Sequence, residues 1–308
     1  MVCIGFVLDQ IDCLDIDWLN ETVDNVLTRD HHSLEKLLQH DNYTSSRSAI
    51  DILLLLKIDS TFHLDDLLGK IYSNVREILM QRGLSLLPLN VLLGNFNKHD
   101  LYWDHIFVHD PTILEKYDIQ FGTVEKFNGT NSHVVPSPYN HPVEIDSKDQ
   151  NKYSVSALGG TFDHIHDGHK ILLSMSAFLT SERLIVGLTD EELLVNKKYK
   201  EYLEPFSKRK NNVIEFIRML KPQLNVEIIP LHDVCGPTGT VPEIECLIVS
   251  RETVKGGDIV NKTRAERGLS KLDIVVVNVL GGDEDDGWKE KLSSTEVRKI
   301  LATQTDSN

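Results

Sequence analysis

Gly159-Gly160-Thr161-Phe162-Asp163-His164-Ile165-His166-Asp167-Gly168-His169 lies between an apolar run, Val155 to Leu158, and an amphipathic stretch, Ile171 to Leu179. That context predicts a strand, a glycine-rich loop and then a helix. A helix start exposes unpaired N–H groups and the positive end of the dipole, so it favours an anion. Gly159 and Gly160 let the backbone approach a phosphate closely. His166 and His169 then add two imidazoles where charge develops on a phosphorus centre. The bland alternative is a helix start carrying satisfied surface histidines.

Downstream of this stretch, strands and helices alternate. Leu184–Leu188, Val226–Leu231, Cys246–Val249 and Ile274–Leu280 read as strands. Short helical patterns fall near 191–195, 207–220 and 260–267, with a last helix near Ser293. In the helix at 207–220, Val213, Ile214, Ile217 and Leu220 share one face. This alternation predicts an α/β fold: a Rossmann-like, doubly wound parallel sheet of five strands, with ligands at the strands' carboxyl ends.

Upstream, residues 127–152 are rich in Asn, Ser, Pro, Gly and Thr and lose hydrophobic periodicity, which predicts a linker. Residues 1–126 have α/β character of their own. Ile52–Ile58 and Leu87–Leu93 read as buried strands, Ile106–Val108 and Ile119–Val124 as further ones. A helix is expected over 65–81 and a short one over 34–38. The expected organisation is a smaller N-terminal α/β domain over 1–126, a linker, and a catalytic domain over 153–308. The N-terminal part shows no phosphate loop, metal cluster or nucleophile motif. It is either a docking or regulatory module or a folded extension that shields its neighbour.

The net charge of −15 opposes non-specific nucleic-acid binding. That charge is uneven: residues 1–150 hold 11 Lys and Arg against 23 Asp and Glu, and residues 151–308 hold 21 against 24. The second half therefore suits anionic substrates. No apolar run approaches a bilayer span, and no signal peptide is apparent at the N-terminus. Cys3, Cys13, Cys235 and Cys246 lack metal-type spacing, which suits a reducing, cytoplasmic setting.

Lys291-Leu292-Ser293-Ser294-Thr295-Glu296-Val297-Arg298 offers a second site element. Ser293 with Glu296 forms a capping box, so a helix should start there. Two more hydroxyls and an arginine on that first turn make a phosphate grip. Lys197, Lys198 and Lys200 follow the second strand of the later half, with Lys208, Arg209 and Lys210 just beyond. Such a run is ordinarily a solvated face. Arg209 either sits near a nucleotide or simply starts its helix. Asp233-Val234-Cys235-Gly236-Pro237-Thr238 and Val249-Ser250-Arg251-Glu252-Thr253-Val254-Lys255-Gly256-Gly257 follow the third and fourth strands.

The Gly-Gly-Thr-Phe-Asp…His-x-Gly-His stretch resembles the signature of the HIGH-type nucleotidyltransferases. Ser293 to Arg298 resembles their Ile-Ser-Ser-Thr-x-x-Arg element, with Leu292 in place of isoleucine. The Asp-x-x-Gly-Pro-Thr and Val-Ser-x-Glu-Thr…Gly-Gly stretches resemble those of archaeal and eukaryotic phosphopantetheine adenylyltransferases. Residues from about 154 to 302 carry this resemblance, and the whole is similar to the single-activity fungal form. A Gly-x-x-x-x-Gly-Lys-Ser/Thr loop is missing, so kinase activity is not expected.

The resemblance implies adenylyl transfer from ATP to 4′-phosphopantetheine, with Mg²⁺ accompanying ATP. It implies that Thr161 holds the attacking phosphate. His166, His169 and a lysine after the second strand stabilise the α-phosphate. The spacing does not decide between Lys197 and Lys198, and Lys198 is preferred. Gly159, Gly160, Phe162, Asp163, Gly168 and Arg251 line the nucleotide site. Ser293, Ser294, Thr295 and Arg298 hold the leaving pyrophosphate. Asp163 has loop ordering as its plain alternative, and His164 is assigned to loop ordering. Other readings stay open: transfer of CMP, transfer to nicotinate mononucleotide, or a catalytically weak scaffold. Association with dephospho-CoA kinase or other coenzyme A enzymes is also conceivable. His164-x-His166-x-x-His169 resembles a metallo-β-lactamase-type metal motif, but Gly168 stands where that motif needs aspartate, so no protein-held metal is expected.

Overall fold

A computed structural model describes residues 3–9, 19–29, 49–56, 58, 60–94, 96–126, 148–278 and 292–305. The chain divides into two compact units, Met1–Asp59 with Lys70–Ser147, and Ser60–Gly69 with Lys148–Asn308.

The first unit contains β1 (Cys3–Leu8), α1 (19–29), β2 (Ala49–Leu54), α2 (Thr61–Gln81), β3 (Leu89–Leu93), β4 (Trp103–Val108), α3 (Thr112–Lys116) and β5 (Phe121–Lys126). The first turns of α2, up to Gly69, belong to the other unit. The sheet order is β3-β2-β1-β4-β5, and every pairing is parallel. Strand β1 is central, and all six of its residues are buried. A parallel strand covered on both faces is a continuous apolar run. Such a run has no alternation or flanking turn signal, so the sequence does not announce this strand. Asp51 lies wholly buried in β2 and accepts hydrogen bonds from Trp103 Nε1 (2.7 Å) and Asn90 Nδ2 (2.8 Å), as a buried carboxylate requires. The helix expected over 34–38 and most of the expected linker lie outside the described residues.

The second unit contains β6 (Tyr153–Gly160), α4 (Asp167–Leu179), β7 (Thr180–Thr189), α5 (Phe206–Leu220), β8 (Asn225–Leu231), β9 (Cys246–Ser250), α6 (Val254–Glu266), β10 (Asp273–Val277) and α7 (Ser294–Thr305). Its sheet order is β10-β9-β6-β7-β8, again all parallel. Strand order reverses between β6 and β9, which opens a crevice at their carboxyl ends. Val155, Ala157, Ile185, Leu247, Val249 and Val260 pack into one core cluster. On α5 the buried face is Val213, Phe216, Ile217 and Leu220; Ile214 is only half-buried, because Phe216 occupies the core side.

Three boundaries differ from the sequence reading. Gly159 and Gly160 are the last residues of β6, paired with Gly187 and Leu188 of β7, rather than loop residues. The helix after β9 begins at Val254, because a turn over Arg251–Thr253 capped by Ser250 feeds directly into it. The helix expected near 191–195 is one 3-10 turn, Glu191–Leu193. At the far end of α4, Lys221 Nζ donates to the carbonyls of Ala177 (3.1 Å) and Thr180 and to Asn151 Oδ1 (2.5 Å). A cation there complements the negative end of the helix dipole. Burial lowers this lysine to about 8.

Candidate active site

Helix α4 starts at the carboxyl end of β6. His166 is its N-cap residue in extended conformation, and its side chain makes no capping hydrogen bond. The first intrahelical bond runs from Lys170 N–H to the His166 carbonyl (3.0 Å). The N–H groups of the first turn, on Asp167, Gly168 and His169, precede that bond and lie at the anion-favouring end. The rings of His166 and His169 lie against each other with centroids 3.8 Å apart and planes tilted by 34°.

Phe162 is fully buried and packs against the His169 ring at 5.1 Å. Its φ of 50°, followed by 43° at His164, folds the loop tightly between β6 and α4. A Cβ on Gly160 would stand 3.0 Å from the Phe162 ring, so a side chain there would press on this packing. Phe162 therefore supports the site from beneath rather than lining it.

The His169 imidazole is held well below its ordinary range. Burial is the largest cause, followed by the neighbouring His166 and the Lys197 charge. That depression favours the neutral ring near pH 7. Its Nδ1 is enclosed, with no hydrogen-bond partner among the described residues.

Asp163 is fully buried and forms an ion pair with Arg298, itself 2% exposed. Asp163 Oδ1 accepts from the Glu204 N–H (2.8 Å), and its carbonyl accepts from Ser294 Oγ (2.8 Å). Arg298 Nε donates to the Lys198 carbonyl (2.9 Å) and Nη2 to Thr295 Oγ1 (3.1 Å). All three guanidinium nitrogens are therefore engaged within the protein. The sequence reading gave Asp163 to the nucleotide and Arg298 to the pyrophosphate. In the structure both are interior, and together they join the β6 loop, the Lys198 backbone and the start of α7. His164 turns away from His166: its N–H donates to Glu204 Oε2 (2.8 Å) and its Nε2 meets the Tyr202 carbonyl (2.7 Å). This agrees with loop ordering. Among the described residues no group of three or more His, Cys, Asp or Glu side chains could hold a metal ion.

Ser293 stands just before α7, and its Oγ accepts from the Glu296 N–H (3.3 Å). Only this half of the capping box is formed, since the Glu296 carboxylate pairs with Lys299 (3.2 Å). Arg209, offered by the sequence as one of two options, is wholly buried. Its Nη1 donates to the carbonyls of Thr161 (2.8 Å) and Thr189 (2.9 Å), and its Nε to that of Glu204 (3.0 Å). It ties the ends of β6 and β7 together and fixes the backbone of Thr161. Glu204 was missed altogether. A glutamate beside a proline in a basic run gives no signal of burial, and only the fold shows its carboxylate serving His164 and Asn212. Lys197 and Lys198 are exposed, and the charge of Lys197 is the one that acts on His169.

The stretches at 233–238 and 249–257 sit at the carboxyl ends of β8 and β9. Asp233 Oδ1 accepts from the N–H groups of Cys235 (2.8 Å) and Gly236 (2.7 Å). Arg264, fully buried, anchors this segment to α6 through the Thr238 (2.7 Å) and Val241 (2.9 Å) carbonyls. Arg251 Nε donates to Asn278 Oδ1 (2.5 Å). All the signature stretches thus meet at one edge of one sheet.

Residues 157–300 match the cytidylyltransferase-like family model. A phosphopantetheine adenylyltransferase of Saccharomyces cerevisiae is 49% identical over 257 residues, covering 83% of this chain and 84% of that protein. The chain belongs to the phosphopantetheine adenylyltransferase family. Archaeal members are similar over shorter stretches of this chain. That of Pyrococcus furiosus is 41% identical over 129 residues, 42% of this chain and 79% of its own length. That of Thermococcus kodakarensis is 37% identical over 150 residues, 49% of this chain and 87% of its own. Family membership and the all-parallel second unit agree on an α/β nucleotidyltransferase fold.

Proposed function

We infer that this chain transfers the adenylyl group of ATP to 4′-phosphopantetheine, giving dephospho-CoA and pyrophosphate. The observation that carries the chemistry is the close His166–His169 ring pair at the start of α4, on the loop that also carries Thr161 and bonds the start of α7. The similarity to a phosphopantetheine adenylyltransferase over most of both chains supports the acceptor.

An oxygen of the acceptor phosphate attacks the α-phosphorus of ATP, and the bond from that phosphorus to the β-phosphate bridging oxygen breaks. The attacking phosphate is already anionic, so no general base is needed. Positioning and charge stabilisation lower the barrier. Thr161, with its backbone fixed by Arg209, receives the attacking phosphate. His169, as the neutral ring, and His166 stabilise the oxygens of the five-coordinate α-phosphate. Ser293 and Thr295, with the N–H groups that open α7, receive the departing pyrophosphate. Mg²⁺ enters with ATP as part of the substrate. The glycine-loop carboxylate, Asp163, is spent on Arg298 and is not offered to the ion.

Lys197, whose charge acts on His169, is assigned the role of neutralising the α-phosphate, in preference to Lys198. Lys197→Ala should lower kcat by about 100-fold and Lys198→Ala by less than about fivefold, as loss of a transition-state contact differs from loss of a solvated one. Equal effects would return Lys198 to consideration. The reaction itself is tested by pyrophosphate release from MgATP with 4′-phosphopantetheine, phosphocholine or nicotinate mononucleotide as acceptor. Release that requires phosphopantetheine and yields dephospho-CoA is the expected result. Release with another acceptor alone would reassign the substrate.

A further inference from the structure

Asp65, near the start of α2, lies outside the stretch matched by the family model and carries no motif. It belongs to the compact unit that holds the candidate site. Its side chain is 4% exposed. Oδ2 accepts the backbone N–H of Asn278 (2.8 Å), and Oδ1 is enclosed with no hydrogen-bond partner among the described residues. Asn278 follows β10, and its Oδ1 receives Arg251 Nε (2.5 Å). Arg251 itself follows β9, the strand that flanks the crevice. A chain of contacts therefore runs from Asp65 through Asn278 to Arg251.

Burying a carboxylate costs free energy that packing alone does not repay, and here its hydrogen-bond partner is Asn278. An apolar residue would fill the same space at lower cost. The carboxylate supplies a fixed acceptor that sets the backbone at Asn278. Asn278 in turn holds the guanidinium of an exposed, rotamer-rich arginine in one orientation. The Arg251 charge also acts on Asp65 directly, and it opposes the effect of burial on that carboxyl. Asp65 and Arg251 are thus linked by charge as well as through the hydrogen bonds of Asn278.

We propose that Asp65 is a positioning residue for nucleotide binding, which orients Arg251 through Asn278 at the carboxyl edge of β9 and β10. This rests on the reading of Arg251 as an ATP contact. Its effect falls on ground-state binding of the nucleotide and not on the transfer step, because none of the three groups lies among the residues assigned to the α-phosphate.

The test is a double-variant cycle on the full chain, with KM for MgATP and kcat measured separately. Arg251→Ala is expected to raise KM for ATP about tenfold and Asp65→Ala about fivefold, each with kcat within about twofold, as loss of uniform binding requires. The double variant should be no worse than Arg251→Ala alone, and Asp65→Asn, which keeps an acceptor oxygen, should stay within about twofold of the parent. Thermal unfolding checks each variant. Should Asp65→Ala not fold, Asp65→Leu fills the same space without the acceptor and carries the same expectation. If Arg251→Ala raises KM and the Asp65 variants do not, or if the two effects multiply in the double variant, the positioning role is overturned while the Arg251 contact stands. If Arg251→Ala leaves KM unchanged, the Arg251 contact itself fails and the inference falls with it.

Discussion

His169 shows what a side chain's surroundings add to a motif. The sequence predicted two imidazoles at a helix start, and the structure holds His169 neutral by burial, by His166 and by the charge of Lys197. Two pH effects follow. A depressed folded value means that the unfolded chain takes up a proton at His169 before the folded one does. Stability from this residue is therefore full above the ordinary imidazole value of about 6.5 and declines as pH falls below it. For activity, the form that donates a hydrogen bond without carrying a full charge persists below pH 6.5, so kcat/KM should not drop at the usual imidazole value. A pH–rate profile checks this, and an acid limb centred near 6.5 that vanishes in His169→Asn would overturn it. His169→Ala should lower kcat at least about 100-fold while the unfolding midpoint at pH 7.5 stays within a few degrees.

At the scale of elements, the glycine loop, the lysine loop and α7 are joined by one buried ion pair. Asp163 and Arg298 are 0% and 2% exposed, and the arginine also holds the Lys198 carbonyl and Thr295. Removing one partner of such a pair leaves an uncompensated buried charge, which costs about 3–5 kcal/mol. Arg298→Ala should therefore lower unfolding stability by about that much, measured in urea, and Asp163→Ala should do the same. An arginine that served only as a pyrophosphate grip would leave stability near the parent's and raise KM for ATP instead. The types and order of elements in the second unit were legible, because apolar runs alternate with helical spacing from Val155 onward. The interior use of Asp163, Glu204, Arg209 and Arg298 was not. A charged residue in a motif looks the same in sequence whether it faces a phosphate or another charge across 135 positions of chain.

The whole molecule sets a different contrast, between total charge and local charge. The chain carries −15, most of it in the first 150 residues, yet its proposed substrates are polyanions. The uneven charge was plain in the sequence. The five-stranded sheet of the first unit was legible only in part, because a central strand at the N-terminus has no flanking pattern to announce it. Screening decides which charges a substrate meets. At physiological ionic strength the Debye length is about 8 Å, so charges more distant than that are largely muted while those bordering the site are not. Lys197, Lys198 and Lys200 are exposed on the loop that follows β7, and the charge of Lys197 reaches His169. The local cations should therefore govern encounter, and kcat/KM for MgATP should fall several-fold as ionic strength rises from about 0.05 to about 0.5 M. Substituting Lys200 by glutamate should lower kcat/KM further and flatten that dependence, with kcat nearly unchanged. A kcat/KM that rises with salt would mean that the acidic field of the whole chain, and not the lysines at the crevice, controls the approach of substrate.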